Sequence, residues 1–388
     1  MATNNNNKIL NVPNLRFPEF SDEWELRATT DYFEFKNGLN PEAKRFGLGT
    51  KFISVMDILN NRYITYDKVI ASVQPKEDDL NEFGVNYGDI LFQRSSETLE
   101  DVGRANVYLD DRTALFGGFV IRGKKIGNYN PLFFRYLLSS PNARKSIIVK
   151  GAGAQHFNIS QDGLSKVLLK VPSIYEQEKI SQFINYIDER IETQSKIIED
   201  LKKLKVAITN WLIKSIPDCS EIKYLEKIAD IYQPQTIPTS ALNDEADYFV
   251  YGANGIIGKY NKYNHELSQI CITCRGNTCG NINFSVPKSW ITGNAMVVNT
   301  DEYTHIVNKR YLYHYLSTIN FTPLISGSGQ PQIVRQPLAK LKIPIPKLEH
   351  QNKIIEVVDT FEYRIEIENK YLQSLLSQKD YLLSNMFI

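Results

Sequence analysis

The sequence predicts an α+β protein of two mixed α/β domains and two long helices that pair as an antiparallel coiled coil. Three observations predict it. One long heptad stripe is written twice, the segments before the two copies match, and 388 residues exceed what one typical core holds.

Reading from Ile180 in steps of four and three gives Ile180, Ile184, Ile187, Ile191, Gln194, Ile198, Leu201, Lys205, Ile208 and Leu212. Moving 174 residues on gives Ile354, Val358, Phe361, Ile365, Glu368, Leu372, Leu375, Lys379, Leu382 and Met386. The polar breaks fall at the same places, Gln194 with Glu368 and Lys205 with Lys379. A generic coiled coil would not repeat its own defects, so the chain reads as an internal duplication.

The duplication gives a layout in chain order. Residues 1–13 open with the Asn-rich stretch Met1 to Lys8, which reads as a disordered tail without a signal-peptide core. Residues 14–173 form the first domain and 174–215 the first long helix; 216–347 form the second domain and 348–388 the second helix. Leu164-Ser165-Lys166-Val167 matches Leu338-Ala339-Lys340-Leu341, Pro172 matches Pro346, and Gln177-x-Lys179-Ile180 matches Gln351-x-Lys353-Ile354. Further back Gly153-x-Gln155 lies near Gly329-Gln330, and Arg135-Tyr136-Leu137-Leu138-Ser139 resembles His314-Tyr315-Leu316-Ser317, with the first copy longer by about 25 residues.

Within the domains, Lys68–Val73, Asp89–Phe92, Gln269–Thr273 and Ala295–Val298 are β-type runs, punctuated by glycine and asparagine turns. Leu132–Leu138 and Tyr311–Leu316 read as short helices. Pro172 and Pro346 mark the start of each long helix, and Pro217 ends the first. A helix of ~40 residues spans about 60 Å and cannot bury its stripe alone. Two in one chain most simply pair, through Ile184, Ile187, Ile191, Ile198 and Leu201 on one and Val358, Phe361, Ile365, Leu372 and Leu375 on the other. The rival arrangement packs each helix on its own domain.

Charge is balanced, at 45 basic and 44 acidic residues, but unevenly placed. From Arg112 to Gln161 there is no acid among Arg112, Arg122, Lys124, Lys125, Arg135, Arg144, Lys145 and Lys150. From Tyr303 to Leu348 there is none among Lys309, Arg310, Arg335, Lys340, Lys342 and Lys347. A single run of this kind is usually a solvated face; two in corresponding places point to a phosphate backbone. Around them lie side chains that match base edges, several on glycine-flanked loops: Gln155, His156 and Asn158, then Gln330, Gln332 and Arg335. Arg94 with Ser95, and Arg275 with Asn277, follow β runs. Tyr251 and Asn254 occupy a further loop, and Lys44, Arg45 and Arg104 complete the candidate DNA-binding set.

Catalytic motifs are missing. There is no Pro-Pro for an adenine methyltransferase and no phosphate-binding G-x-x-x-x-G-K-(S/T) loop. Pro217-Asp218 with Glu221-x-Lys223 imitates a nuclease string, but its acids are too close in sequence. Cys271, Cys274 and Cys279 fall short of a zinc set, and Cys271 and Cys274 differ in strand parity, so they read as small core residues. No catalytic residue, metal or cofactor is expected, and no run reaches the ~18 apolar residues that span a membrane. The chain reads as a soluble, cytoplasmic protein.

The combination resembles the specificity subunits of bacterial type I restriction–modification systems. Asn14-Leu15-Arg16-Phe17-Pro18-Glu19-Phe20-Ser21-Asp22-Glu23-Trp24 looks like the start of such subunits. Pro172-Ser173-Ile174-Tyr175-Glu176-Gln177 and Pro346-Lys347-Leu348-Glu349-His350-Gln351 look like the family's P-x-x-x-E-Q helix start, with His350 in place of Glu. Tyr251 to Gly258 resembles one recurring type of target-recognition domain. The resemblance implies a non-catalytic reader of double-stranded DNA whose two target-recognition domains each read one half of a bipartite, asymmetric site. The paired helices would fix the gap, near one duplex turn of ~34 Å, and dock two methylation subunits, which restriction–motor subunits join. S-adenosylmethionine, ATP and Mg would belong to those partners. The competing readings are a stand-alone DNA-binding or structural protein, a regulator of such a complex, and an enzyme, either a nuclease or a fused methyltransferase.

Overall fold

In the computed structural model, which describes residues 11–153, 155–215, 221–327 and 330–388, one four-stranded sheet occurs twice. The first copy orders its strands Phe33–Asn37, Val120–Lys125, Ile90–Gln93 and Ala105–Val107. The second orders Asp230–Tyr232, Ala295–Asn299, Ile270–Thr273 and Ile282–Phe284. All neighbours are antiparallel. Each copy adds a three-stranded sheet whose central strand, Phe46–Ile53 or Tyr248–Gly252, is antiparallel to one neighbour and parallel to the other. Each is closed by a ribbon, Glu25–Ala28 with Leu168–Val171 and Glu221–Tyr224 with Lys342–Ile345. The first copy's extra length lies between Ile53 and Ile90, where it carries the helices Val55–Asn60 and Asp79–Phe83.

The chain divides into two compact units. Unit 1 comprises Met1–Ser195 with Tyr371–Ile388, and unit 2 comprises Lys196–Lys370. Strand alternation sends Ile90, Phe92 and Ile121 into the main core of unit 1 and Leu91 and Val120 into a second cluster behind the sheet. In unit 2, Ile270, Ile272 and Met296 face the main core while Cys271 and Val297 face the other side. Cys271 and Cys274 therefore sit in different clusters, as their parity predicts, and burial pushes the Cys271 thiol up to about 12.

The Gln-x-Lys-Ile string has a structural job. In unit 1, the side chain of Asn130 caps the short helix Pro131–Ser139 by accepting from the amide of Phe133. The amide of Asn130 donates to Gln177 Oε1 at 3.0 Å, while Gln177 Nε2 donates to the carbonyl of Pro172 at 3.0 Å. In unit 2 the amide of Asn308 donates to Gln351 Oε1 at 2.7 Å, and Gln351 Nε2 donates to Pro346 O at 2.8 Å. One buried amide thus ties each long helix to the cap of the short helix Pro131–Ser139 or Lys309–Leu316.

The long helices run Ile174–Lys214 and Leu348–Asn385, and none of the twenty stripe positions is exposed. Within unit 1 the start of the first helix, Ile180 to Ile187, shares a core with Leu382, Met386 and Phe387 at the end of the second. Within unit 2, Leu212 near the end of the first packs with the core that holds Ile354 and Val358 at the start of the second. Each unit holds an antiparallel crossing, so the helices pair instead of resting only on their own domains. The breaks are partnered: Lys379 Nζ meets Asp188 Oδ1 at 2.7 Å in unit 1, and Lys205 Nζ meets Glu362 Oε1 at 2.7 Å in unit 2. Gln194 and Glu368 are both buried, and Glu368 pairs with Arg364 at 2.5 Å.

Several expectations shift. Of the run Lys68–Val73 only Ser72–Val73 is strand, because Tyr66–Lys68 coils into a 3-10 turn whose first amide bonds Asp110. His314 corresponds to Tyr136, not Arg135: the Asn130 and Asn308 caps set the register, and both side chains reach carboxylates of the long helices. Pro217 and Asp218 lie outside the described residues, as do the Asn-rich tip and Gly329. Glu221 and Lys223, the other half of the nuclease-like string, sit on a ribbon strand and pair with each other at 3.1 Å.

Candidate nucleic-acid interface

At one end of each four-stranded sheet the chain builds the same small platform. In unit 1, Ser95–Ser96 pairs with Phe157–Asn158, the amide of Ile159 donates to Arg94 O at 2.9 Å, and Ala152 bridges Asn158. In unit 2, Arg275 bridges Gln332, the amide of Ile333 donates to Cys274 O at 3.1 Å, and Ser326 bridges Gln332. Each platform carries a glycine at positive φ, Gly153 or Gly327, directly after the bridging Ala152 or Ser326. Gly153 has φ +143, and a Cβ there would fall 2.0 Å from the carbonyl oxygen of His156. Gly327 has φ +98, and its Cβ would fall 2.5 Å from that of Gln330. Gly327, and not Gly329, is thus the counterpart of Gly153. Only glycine allows the turn to close this far.

The side chains on these shared backbones differ. Ser95 stands where unit 2 has Arg275, Asn158 where it has Gln332, and His156 where it has Gln330. Asn158, His156, Arg275, Gln330 and Gln332 are exposed, and Ser95 is half-exposed with its hydroxyl on Asn158. Gln155 and Asn277 flank them, exposed as well. Arg94 is half-buried and donates to Gly118 O at 3.2 Å, so its guanidinium braces the platform. Arg335 lies beside the second platform and donates from Nε to Ile231 O at 2.9 Å. Donors and acceptors of this kind, held on a fixed backbone, can pair with base edges.

Other candidates lie apart from the platforms. Lys44 pairs with Glu42 at 2.9 Å on an exposed turn. Arg45 is folded onto Gln74 O and Asp79. Arg104 pairs with Asp101 at 2.6 Å. Lys124 is exposed at the far end of its strand, and Lys125 lies against Tyr129, where burial holds its ammonium below the usual lysine range. Tyr251 is buried, with its hydroxyl accepting from the Val286 amide at 3.1 Å. Asn254 accepts from Asn281 at 3.0 Å at a hairpin turn.

The acid-free runs are only partly surfaces. Arg112 is held by Asp67 and Asp110, Arg122 is buried on Gly84 O, and Arg135 is half-buried beside Asp188. Lys309 pairs with Asp301, and Arg310 with Asp359 and Glu362. Acids outside each run supply the partners. Lys124, Lys145, Lys150, Lys340, Lys342 and Lys347 remain exposed. His314, Asp359 and Glu362 gather their ligating atoms closely. Arg310 and Lys205 already meet those carboxylates within 2.8 Å, so the group is an ion-pair network.

Sequence reasoning missed one platform position. The amide of Arg94 donates to Phe119 O at 2.9 Å, and that of Cys274 donates to Asn294 O at 3.3 Å. Phe119 and Asn294 are therefore equivalent, and both are exposed. The Gly117-Gly118 pair before an aromatic was the available signal.

A family model described as "Type I restriction modification DNA specificity domain" matches residues 21–203 and 217–377. The chain is 24% identical to a MjaX type I restriction enzyme specificity subunit of Methanocaldococcus jannaschii, covering 93% of this chain and 92% of that one. It is 32% identical to a Haemophilus influenzae type I specificity subunit, S.HindORF215P, over 36% of each chain. Among solved structures, the S subunit of a type I restriction–modification system from M. genitalium has a TM-score of 0.58 at 18% identity, with 97% of this chain and 99% of that chain covered. That likeness shows a shared fold.

Proposed function

Because the chain belongs to the type I restriction–modification DNA specificity family, we propose that each of its two platforms reads one half of a bipartite, asymmetric DNA sequence. The carrying observation is the repeated platform: one backbone twice, with Ser95, His156 and Asn158 on one copy and Arg275, Gln330 and Gln332 on the other. Like backbones suit like duplex geometry, while unlike side chains suit unlike bases. Gln155, Asn277 and Arg335 border the same surfaces. Exposed Lys145, Lys150, Lys340 and Lys342 supply phosphate contacts, which fix position and carry the salt dependence.

The paired helices set the spacing between the two half-sites and dock two methylation subunits, to which restriction–motor subunits attach. Tyr175, Tyr186, Trp211, Tyr363 and Tyr381 stand exposed on these helices, the type of side chain that anchors protein interfaces. The chain itself is non-catalytic in this reading. S-adenosylmethionine, ATP and Mg serve the partner subunits, and the complex works in the cytoplasm. Among the described residues no helix is long and apolar enough to cross a membrane.

Methylome sequencing of a host with and without this gene tests the reading. One bipartite methylation motif should disappear with the gene. An unchanged set of motifs would sink it.

A further inference from the structure

Phe119 is a large apolar side chain, 69% exposed, on a turn that is rigidly held. Arg94 grips that turn twice, its amide on Phe119 O at 2.9 Å and its guanidinium on Gly118 O at 3.2 Å. A Cβ on Gly118 would fall 2.1 Å from Asn40 Oδ1, so the Asn40 side chain lies directly against this turn. The ring therefore stays in water because its backbone is fixed there, at the expense of unsatisfied apolar surface. Through Arg94 it lies one strand from Asn158 and Ile159, on the edge of the unit 1 platform.

The second unit supplies the argument for what the ring meets. Its equivalent residue is Asn294, exposed and polar. A docking patch for one kind of protein partner on two like units would keep one chemistry. A position that reads bases must change when the half-site changes. Phe119 changes together with Ser95/Arg275, His156/Gln330 and Asn158/Gln332. The apolar group in a major groove is the thymine 5-methyl, and the amide at the same place in unit 2 suits an adenine edge.

We propose that Phe119 is the specificity residue by which unit 1 selects a thymine, its ring packing on the 5-methyl group. The inference rests on the half-site reading above and adds one base to it.

The test uses the complete modification complex, with the wild-type chain, Phe119→Ala and Phe119→Leu. Methylome sequencing first gives the wild-type motif. Deoxyuridine is then placed at each thymine of the two half-sites in turn, in synthetic duplexes, and binding is measured. The wild-type complex should lose about four-fold in affinity at one thymine of one half-site, the worth of one buried methyl. Phe119→Ala should be indifferent to that substitution and should methylate sites degenerate at that position, with the other half unchanged. Phe119→Leu should retain much of the discrimination. The proposal is overturned if the wild-type complex ignores every deoxyuridine, if neither half-site contains a thymine that Phe119→Ala makes degenerate, or if Phe119→Ala weakens assembly with methylation subunits while its motif stays intact. Absence of any bipartite motif in the wild-type methylome would remove the half-site reading itself, a different failure.

Discussion

Lys205 Nζ lies 2.7 Å from Glu362 Oε1 in unit 2, and the same bond recurs in unit 1 as Lys379 to Asp188. Lys205 and Lys379 are one position of the duplicated stripe, and Asp188 and Glu362 also stand 174 residues apart. Each lysine break in the stripe is thus neutralised by a carboxylate from the other helix. About a fifth of the Lys205 and Glu362 side chains remains exposed, so the pair is weaker than a fully buried one. Lys205→Met should destabilise by roughly 1–3 kcal/mol in denaturant titration, less than the full loss for a buried charge. The double variant with Glu362→Leu should cost less than its two singles added, by ~1 kcal/mol or more. Strict additivity would show that the two residues are not coupled.

Gln177 and Gln351 each satisfy a main-chain amide and a proline carbonyl. Replacing either with alanine leaves both groups buried and unpartnered, at about 1–3 kcal/mol for each group. Gln351→Ala should lower the thermal midpoint by several degrees, whereas Lys353→Ala, on the exposed face, should leave it unmoved.

Unit 2 should weaken in mild acid. Burial holds the His314 imidazole below its ordinary value, outweighing the pull of Glu362 and Asp359. The unfolded chain then takes up the proton more readily, so the contribution of neutral His314 is full above about pH 6.5 and is lost as pH falls toward the depressed folded value. Burial would raise Asp359 and Glu362, but bonds from Arg310 and His314 to the first and from Lys205 to the second leave both below the usual carboxylate range. Their contribution persists until below about pH 4. Unit 1 has Tyr136 at the equivalent place, which burial pushes upward, away from this window. Stability measured from pH 7 to 5 should fall for wild type and much less for His314→Gln. Identical slopes would refute the assignment.

The glycines of the platform loops should be intolerant of any side chain. Gly153→Ala and Gly327→Ala each force a left-handed or extended-positive φ on alanine and drive its methyl into a carbonyl. Each should distort its own loop and lower DNA binding by the assembled complex at least ten-fold, with a stability loss of only about 1–2 kcal/mol. Normal binding by both variants would remove the loops from the interface.

The helices and their pairing were legible because the 3.5-residue period and its matched breaks survive on the surface of the sequence. The Gln177 and Gln351 strings were visible too, though not their function, since the partner amides lie more than 40 residues upstream. Charge was misleading in part. Arg122 and Arg135 look like a basic surface when read along the chain, yet the groups they bond come from distant segments. Tyr251 read as a loop residue of the DNA-binding set; in fact it lies on the strand Tyr248–Gly252 and its ring belongs to a core cluster. Phe119 went unnoticed because exposure of an aromatic is a property of the folded turn; the Gly117-Gly118 pair before it marks the turn but not the exposure.

The segment Leu382–Phe387 belongs to the core of unit 1, where Phe387 packs against Trp24 and Phe133 at ring-centroid distances of 6.2 and 5.5 Å. That segment is synthesised after all of unit 2. On the ribosome the order of completion is therefore inverted. Unit 2, Lys196–Lys370, can close its core from one contiguous stretch, while unit 1, begun first, must hold an open apolar cleft until the last turns of the second helix emerge. The nascent chain is most exposed to aggregation and proteolysis in that interval, and its first-made half is the last to be safe.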